Sequence, residues 1–332
     1  GSSADTYNVA IGHQSQEKTT TGTLNTSVGG YALYANTTAS NNTAIGYSAL
    51  IANTTGAGNT AIGKSALESN TTGADNIAIG RDSMTAATTA DQTISIGHIA
   101  GTALTTGDYN TFIGGGAGTA TTTASNNVAI GNGSFYGNTT GGYNTAVGTN
   151  SLGGNTTASF NTSMGYASLD ANTTGHSNTG IGVSTLTDNT TGEQNVAVGR
   201  DALNKNTTGY YNVAVGNEAL YTNTTGLQNI AMGKHALYGN VTGQNNIGIG
   251  TSTLMANTGT ENTAIGLLSG RYQTGSNYNT FYGSRAGYAT TSSQNVCIGA
   301  YGASILTSGS GTVIIGYNAQ PYTATTANEI VV

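Results

Sequence analysis

Residues that could do acid–base or nucleophilic chemistry are few in this chain of 332 residues. There are four histidines, His13, His98, His176 and His235, and a single cysteine, Cys297. A general base must lie within hydrogen-bond reach of the proton that it takes, and no histidine stands at a repeated spacing from an Asp or Glu. Cys297 likewise has no evident base to activate it as a nucleophile. The sequence therefore predicts that the protein is not an enzyme.

Metal, cofactor and nucleic-acid sites are not predicted either. Calcium sites need clustered carboxylates, and the 14 acidic residues are scattered without a repeat-linked motif. The segment Gly114–Gly116 looks like part of a phosphate-binding loop, but no helix is predicted after it. With eight basic residues and a net charge of -6, the chain lacks the basic patch of nucleic-acid binders. No apolar run approaches the ~18 residues of a membrane-spanning helix, so we expect no membrane insertion.

The composition favours an all-β protein. Gly occurs 51 times, Pro once, and charged residues make up 7% of the chain. Gly, Thr and Asn are poor helix formers. A hydrophobic content of 36% argues against a disordered chain, and one cysteine excludes a disulfide framework.

The sequence repeats with a period of 17 residues, written N-T-A-I-G-x-S-A-L-x-x-N-T-T-G-x-x and numbered here as positions 1 to 17. Position 1 falls on Asn8 and recurs at a constant step to Asn246, with Thr93 in one place. The phase then slips by one residue at three later starts, Asn262, Asn295 and Asn328. We therefore predict a single repeat domain over residues 1–332, with regular coils over 8–261 and slipped coils over 262–332.

Each unit predicts two short extended pieces joined by two turns. Positions 2 and 4 are β-branched or bulky and flank a small residue, which is typical of a strand with its larger side chains in the core. Leu at position 9 is a second apolar anchor, and the N-T-T-G segment has turn chemistry. Stacking such units buries their side chains. The fold class is thus a β-solenoid or β-roll of about twenty coils, with ladders of like residues and Asn side chains hydrogen-bonded along the axis.

Self-association is expected because the core of one coil is thin. The small residue at position 3 is predicted to face outward, where an exposed strand would normally carry charge. A strip of small residues suits the close approach of another chain, and homo-oligomers favour closed symmetry. We therefore predict that the protein is its own partner, in a homotrimer.

The segments Asn42–Leu50 and Asn59–Leu67, both of the form N-T-A-I-G-x-S-A-L, resemble the head-domain repeats of trimeric autotransporter adhesins. They are also similar to repeat regions of bacteriophage tail fibres and of bacterial proteins with a C-terminal self-cleaving chaperone. The resemblance implies a homotrimeric β-roll that serves as a shaft or host-contact head, extracellular or on the virion surface. Adhesin heads have a shorter unit, and no coiled-coil stalk or anchor is seen here, so the phage-fibre interpretation is favoured.

The two ends of the chain carry further expectations. Gly1-Ser2-Ser3 looks like the scar of a tag or the start of an excised fragment. The last unit stops at Val332, before its Gly, and an open solenoid edge is normally capped. We expect that something followed it, and the resemblance suggests a folding chaperone that is removed.

Two features are candidates for surface recognition, namely Thr pairs in the turn and Tyr side chains at turn or edge positions. The residues selected are Thr54, Thr55, Thr71, Thr72, Thr173, Thr174, Tyr210, Tyr211, Tyr221 and Tyr238. Exposed aromatic rings often meet sugars or partner proteins. The predicted function is a structural or adhesive fibre segment, acting as a rigid spacer and contacting a cell-surface glycan or receptor. The alternatives are an ice-binding solenoid with a Thr ladder and a subunit of an extracellular filament.

Overall fold

The computed structural model describes residues 6–304, 306–325 and 327–332. The suggested scar at Gly1–Ser3 and the acidic Asp5 lie outside the described residues. The chain divides into two compact units, Gly1–Met164 and Gly165–Val332. None of the described residues belongs to a helix that could cross a bilayer.

The first unit contains ten strands of three residues each. They are β1 (Val9–Ile11), β2 (Thr26–Val28), β3 (Thr43–Ile45), β4 (Thr60–Ile62), β5 (Ile77–Ile79), β6 (Ile94–Ile96), β7 (Thr111–Ile113), β8 (Val128–Ile130), β9 (Thr145–Val147) and β10 (Thr162–Met164).

The second unit contains the remaining ten strands. They are β11 (Thr179–Ile181), β12 (Val196–Val198), β13 (Val213–Val215), β14 (Ile230–Met232), β15 (Ile247–Ile249), β16 (Thr263–Ile265), β17 (Thr280–Tyr282), β18 (Val296–Ile298), β19 (Val313–Ile315) and β20 (Ile330–Val331). The all-β prediction is confirmed, with one strand in each coil.

Within each unit every strand pairs in parallel with the strand of the next coil, so like positions lie over one another. Thr43 pairs with Thr60 and Ala44 with Ala61. Position 5 shows how close the coils approach, because Gly46 has a φ of +136° and an added Cβ would lie 2.5 Å from the carbonyl oxygen of Gly63. Both the backbone angle and the contact demand glycine there. The predicted β-solenoid with aligned glycines is confirmed.

The last coil is a regular coil and not a slipped one. β19 and β20 pair Val313 with Ile330, which places Glu329 at position 1, seventeen residues after Thr312. Asn328 has a φ of +56° and occupies position 17, where Asn41 also has a positive φ, of 63°. Asn is common in this left-handed conformation, and its presence at position 17 explains the wrong start.

The predicted facing of the strand residues is wrong. Ala44 and Ala61 at position 3 are fully buried, whereas Ile45 at position 4 is 38% exposed. The interior of a coil is already occupied by the position-9 leucines, such as Leu50, and by buried asparagines. Only a small side chain fits between them, so the alternation of the strand sends its β-branched residues outward.

The leucine segment is a turn and not a second extended piece. Ser48 has a φ of +58° and Leu50 a φ of +51°, which costs about 1–2 kcal/mol for a residue with a Cβ. The Ser48 N–H donates to the carbonyl of Gly30 at 3.0 Å, and the Leu50 N–H donates to that of Ala66 at 3.1 Å. These bonds to the preceding and following coils, together with the burial of Leu50, offset the cost.

Two files of buried asparagines run along the stack, as the sequence predicted. At position 1, the Asn59 N–H donates to Asn42 Oδ1 at 2.9 Å, and Asn59 Nδ2 donates to the Gly73 carbonyl at 2.8 Å. At position 12, Asn70 Nδ2 donates to Asn53 Oδ1 at 2.8 Å. Asn59 and Asn70 therefore each bond to a neighbour in the file and to the Gly73 carbonyl of their own turn, which pairs groups that would be costly to bury alone, while Asn70 Oδ1 has no partner.

Thr93 keeps the position-1 file continuous although it lacks an amide. Its N–H donates to Asn76 Oδ1 at 3.0 Å, and its hydroxyl accepts the N–H of Asn110 at 3.2 Å. A hydroxyl can both donate and accept, so Thr replaces the acceptor half of Asn. This explains why Thr and Asn exchange at this position.

Two coils exchange the sizes of their core residues. Phe112 replaces the small residue of position 3, and position 9 is then Gly in its own coil and in the preceding one, at Gly118 and Gly101. An added Cβ would lie 2.6 Å from the Phe112 ring at Gly118 and 2.9 Å from it at Gly101. Phe281 repeats the arrangement, with distances of 2.5 Å at Gly287 and 2.9 Å at Gly270. The core keeps its volume through this exchange.

Candidate functional site

The outer strand face, made by the side chains of positions 2 and 4, is uncharged and rich in β-branched residues. Position 2 carries Thr, Val or Ile, and position 4 carries Ile, Val, Met or Tyr, with no charged residue at either position. Position-2 side chains are half-buried from β2 through β19, and several position-4 residues are exposed, including Ile130 and Met164 in the first unit and Ile181 and Met232 in the second. An uncharged sheet face of this kind is a candidate interaction surface.

The size of the outer strand face supports this interpretation. A three-residue strand spans about 10 Å, and ten strands at about 4.8 Å spacing span about 45 Å. Each unit therefore presents an apolar face on the order of 450 Å² in plan. That value reaches the range of the largest patch on a typical soluble monomer, about 300–600 Å².

The predicted Thr pairs divide into two files with different roles. Thr54, Thr71 and Thr173 at position 13 are half-buried, and Thr55, Thr72 and Thr174 at position 14 are exposed. The position-13 hydroxyls donate to the carbonyl of the next position-13 residue, at 2.9 Å from Thr54, 3.1 Å from Thr71 and 3.0 Å from Thr173.

The position-14 file is regular and lies at the surface. An exposed Thr occupies this position in nine successive coils of the first unit, Thr21 to Thr157, and in five of the second, Thr174 to Thr242. The next four coils after Thr242 do not continue the file, because the turn shortens or changes its residues there, and an exposed Thr returns to this position at Thr325. Only this second file is a candidate recognition surface, since the first one bonds within the stack.

The four predicted tyrosines form two pairs. The rings of Tyr210 and Tyr211 are 5.1 Å apart and edge to face, and both side chains are exposed. The rings of Tyr221 and Tyr238 are stacked at 5.3 Å with an interplanar angle of 7°, and both are half-buried. Tyr210 and Tyr211 occupy positions 16 and 17, whereas the stacked pair occupies position 10. The structure therefore gives two separate aromatic pairs on different parts of the coil.

Two histidines lie beside carboxylates at a spacing of one coil. The prediction that no histidine stands at a repeated spacing from an Asp or Glu is therefore wrong. His176 Nε2 contacts Glu193 Oε2, and His235 Nε2 lies 3.2 Å from Glu218 Oε2. In both cases the partners are seventeen residues apart, which a comparison of successive repeats would have revealed. All four side chains are partly exposed, and His176 Nδ1 also lies 3.2 Å from the hydroxyl oxygen of Ser177.

One further ion pair among the described residues joins successive coils at the surface. Lys205 Nζ lies 2.9 Å from Asp188 Oδ2, and the hydrogen bond and charge of Asp188 raise the pKa of Lys205. Such exposed pairs contribute little to stability. Among the described residues, no group of three or more His, Cys, Asp or Glu side chains could hold a metal ion.

Cys297 lies at position 3 and is fully buried. It pairs with Phe281 in the preceding strand and Ile314 in the next one. Burial raises the pKa of the Cys297 thiol to about 11, against a smaller opposing effect of a hydrogen bond with the Gly287 backbone. The thiolate is the nucleophilic form, so this arrangement suits a packing residue.

Sequence reasoning did not single out the arginines of the last coils. Arg285 lies near the rings of Tyr288 and Tyr301, the second of which is 16 residues away and belongs to the following coil. The signal was available, because residues one repeat apart become neighbours in a solenoid.

The sequence matches no protein-family model, and none of the curated proteins is significantly similar to it.

Proposed function

We propose that this protein is a structural and adhesive fibre segment that assembles as a homotrimer and holds a contact site away from a cell or virion surface. The proposal follows the resemblance of its repeats to adhesin heads and phage tail fibres. The observation that carries it is the outer strand face, which is uncharged over the ten strands of each unit.

The support for self-association differs from the sequence argument. The small residues face the interior, so they cannot form the contact between chains. The β-branched residues of positions 2 and 4 replace them, and burying their surface yields about 25 cal/mol per Å². Since each chain presents one such face along every coil, a closed ring of three chains would cover all three faces at its axis.

The interior suits the role of spacer. The position-1 file connects successive coils, and position 12 adds amide bonds where it is Asn, as in the bond from Asn70 Nδ2 to Asn53 Oδ1 of 2.8 Å, with interruptions such as those at Ala87 and Leu104. Strand hydrogen bonds connect the same coils in parallel. A segment built from such repeated bonds resists sliding of one coil on the next, because every bond would break together.

Native mass spectrometry and sedimentation equilibrium test the proposal. The wild-type chain should have three times the mass of one chain. Replacing Ile45 and Ile79, both at position 4, by Lys should shift it to monomer. Replacing Thr55 and Thr89, exposed at position 14 of the same two coils, by Lys adds the same charge and should leave the trimer intact.

Two results would overturn the trimer. One is a wild-type chain that stays monomeric at micromolar concentration. The other is that the position-4 Lys variant and the position-14 Lys variant both keep the assembly mass of the wild type. If the Ile45→Lys and Ile79→Lys chain does not fold, the milder Ile45→Ser and Ile79→Ser chain replaces it, and it should dissociate at a higher concentration than the wild type does.

Ice binding is a second candidate function, favoured by the position-14 Thr file. Its exposed hydroxyl and methyl groups repeat at the strand spacing, about 4.8 Å, over successive coils such as those of Thr55 and Thr72. An ice-binding protein should show thermal hysteresis that is lost on Thr72→Lys and Thr89→Lys substitution. Absence of hysteresis in the wild-type protein at high concentration would remove this candidate.

A further inference from the structure

Six side chains on the last coils form a continuous series of cation–ring and ring–ring contacts, called here the Arg–Tyr cluster. Its first half joins two neighbouring coils. The Arg271 guanidinium carbon lies 5.2 Å from the Tyr272 ring centre, and the Tyr272 and Tyr288 rings are 5.1 Å apart. Arg285 lies 6.0 Å from the ring centre of Tyr288.

The second half of the Arg–Tyr cluster extends to the next coils. The Arg285 guanidinium carbon is 5.4 Å from the Tyr301 ring centre, and the Tyr301 and Tyr317 rings are 6.1 Å apart. Tyr272, Tyr301 and Tyr317 are exposed at 47%, 38% and 79%. The cluster is therefore open to solvent along its length, at positions 6, 7, 10 and 11 of the coil and away from the outer strand face.

The charges of this cluster lack acidic partners. Arg81 and Arg200 each lie next to an aspartate, at 3.6 and 3.0 Å from Asp82 and Asp201 respectively. Neither cluster arginine has an ion pair within the described parts of the chain. Residues 262–332 carry two arginines and a single acid, Glu329, whereas acids outnumber bases in the rest of the sequence.

In Arg271 one nitrogen of the guanidinium lacks a hydrogen-bond partner. Its Nε is buried and has no hydrogen-bond partner in the protein. An unpaired buried donor is costly, and a guanidinium binds a carboxylate or sulfate group through two parallel bonds. Arg271 and Arg285 are thus two planar cations that lie near aromatic rings and have no acidic partner among the described residues, and an anion would approach Arg271 at the terminal nitrogens of its guanidinium because Nε is covered.

We propose that the Arg–Tyr cluster binds an acidic saccharide, with its carboxylate or sulfate groups on Arg271 and Arg285 and its sugar rings against the exposed tyrosines. The inference rests on the proposed function in one respect, since it names the class of glycan that the fibre segment would contact. Aromatic rings offer an apolar face to the C–H side of a sugar and a polar edge to its hydroxyls.

The observations favour a saccharide over other polyanions. Binding to nucleic acid or to anionic membranes needs many basic residues on one surface, and residues 262–332 carry two. The protein is acidic overall, with a net charge of -6, so a long polyanion would be repelled by other coils. A short stretch of acidic sugars meets only the local pair of arginines.

Isothermal titration calorimetry with three hexasaccharides tests the proposal on the full chain. The probes are a heparin-derived hexasaccharide, hexagalacturonate and neutral maltohexaose. The wild type should bind at least one acidic probe and not the neutral one. Arg271→Gln and Arg285→Gln should each weaken binding about tenfold, the effect expected for a lost charge-assisted bond. Arg200→Gln, which removes a paired arginine, should change binding less than about twofold.

Tyrosine variants separate stacking from general charge. Tyr272→Phe keeps the ring and should bind within about twofold of wild type, whereas Tyr272→Ala should bind about tenfold more weakly. The proposal is overturned if no acidic probe binds at millimolar concentration, if maltohexaose or an oligothymidylate of equal charge binds as tightly, or if Arg200→Gln weakens binding as much as Arg285→Gln. Native mass measured on the same samples distinguishes the two proposals. A monomeric protein that binds the acidic probe would contradict only the proposed trimer. A trimeric protein that does not bind it would contradict only the proposed saccharide site.

Discussion

The two faces of each strand reverse the usual placement of small and bulky side chains. The inner face of the strand carries small residues such as Ala44, and the interior beside it holds the position-9 leucines and buried asparagines such as Asn42 and Asn53. The outer strand face holds Ile, Val and Thr, and Ile45 in the same coil is exposed. In an ordinary soluble sheet with one solvated face, the apolar residues lie inside and the polar ones outside.

This reversal separates two tasks that one core usually performs together. Apolar burial is non-directional, so it stabilises a stack without fixing which coil position lies over which. Hydrogen bonds between buried amides are directional and costly to misplace. The interior therefore specifies the register, and the outer strand face leaves β-branched side chains at the surface, where the proposed trimer would bury them.

The largest expected effect comes from the interior, at Phe112. Phe112→Ala should lower the free energy of unfolding by about 4 kcal/mol, because it leaves a cavity where Gly101 and Gly118 already lack side chains. Urea unfolding followed by circular dichroism measures the loss.

The matched control restores the ordinary coil. Phe112→Ala combined with Gly118→Leu reproduces the Ala and Leu pattern of neighbouring coils and should recover about half of the loss. Gly118→Leu alone should destabilise, since its Cβ would lie 2.6 Å from the Phe112 ring. Additive losses in the double variant would contradict the size exchange.

A smaller effect is expected at the position-1 file. Asn59 Oδ1 accepts the N–H of Asn76 at 3.0 Å, and its Nδ2 donates to the Gly73 carbonyl. Asn59→Ala leaves both groups unpaired and should cost about 3 kcal/mol. Asn59→Thr keeps an acceptor, as Thr93 does, and should cost about half as much in the same urea assay. Equal losses for Ala and Thr would mean that the file contributes packing and not specific bonds.

The Thr files predict the same contrast on a smaller scale. Thr71→Val removes the hydrogen bond from the Thr71 hydroxyl to the Thr88 carbonyl and should lower the free energy of unfolding by about 1 kcal/mol. Thr72→Val removes an exposed hydroxyl and should change it by less than about 0.5 kcal/mol. Differential scanning calorimetry of the two variants gives the comparison, and a larger loss at Thr72 would reverse the assigned roles.

The repeat made the solenoid, the glycine file and the asparagine ladders predictable, because a constant step of 17 residues places like over like. The facing of the strand was not predictable from alternation alone. The alternation of Thr43, Ala44 and Ile45 predicts that the two faces of the strand differ. Which face is buried depends on how much of the coil interior Leu50 leaves free. Hydrophobicity gave the wrong answer there because the position-9 leucines leave no room for Ile at position 3, whereas Ile314 is buried at position 3 where the preceding coil has Ala303 at position 9.

The other features that the sequence did not predict also depend on contacts between neighbouring coils. The positive φ of Leu50 has no signal in its residue type, since leucine rarely adopts it, and it is set by bonds to the neighbouring coils. The contacts of the candidate surfaces depend on residues one coil apart. His235 with Glu218 and Arg285 with Tyr301 were therefore readable only by comparing successive repeats position by position.

Cys297 gives the finest test of whether the interior stays closed. Burial raises the pKa of its thiol from 9.0 to about 11. At pH 8 a difference of about two units lowers the thiolate fraction about 100-fold relative to the unfolded chain. The native protein should therefore react with an aromatic disulfide reagent at least that much more slowly than the protein in urea does.

A folded-state pKa above the unfolded one means that stability is unaffected below pH 9 and falls between pH 9 and about 11, as the unfolded thiol ionises first. Cys297→Ala should abolish this fall in urea titrations at pH 8 and pH 10.5, whereas rapid labelling of the native chain at pH 8 would show that the inward face opens to solvent.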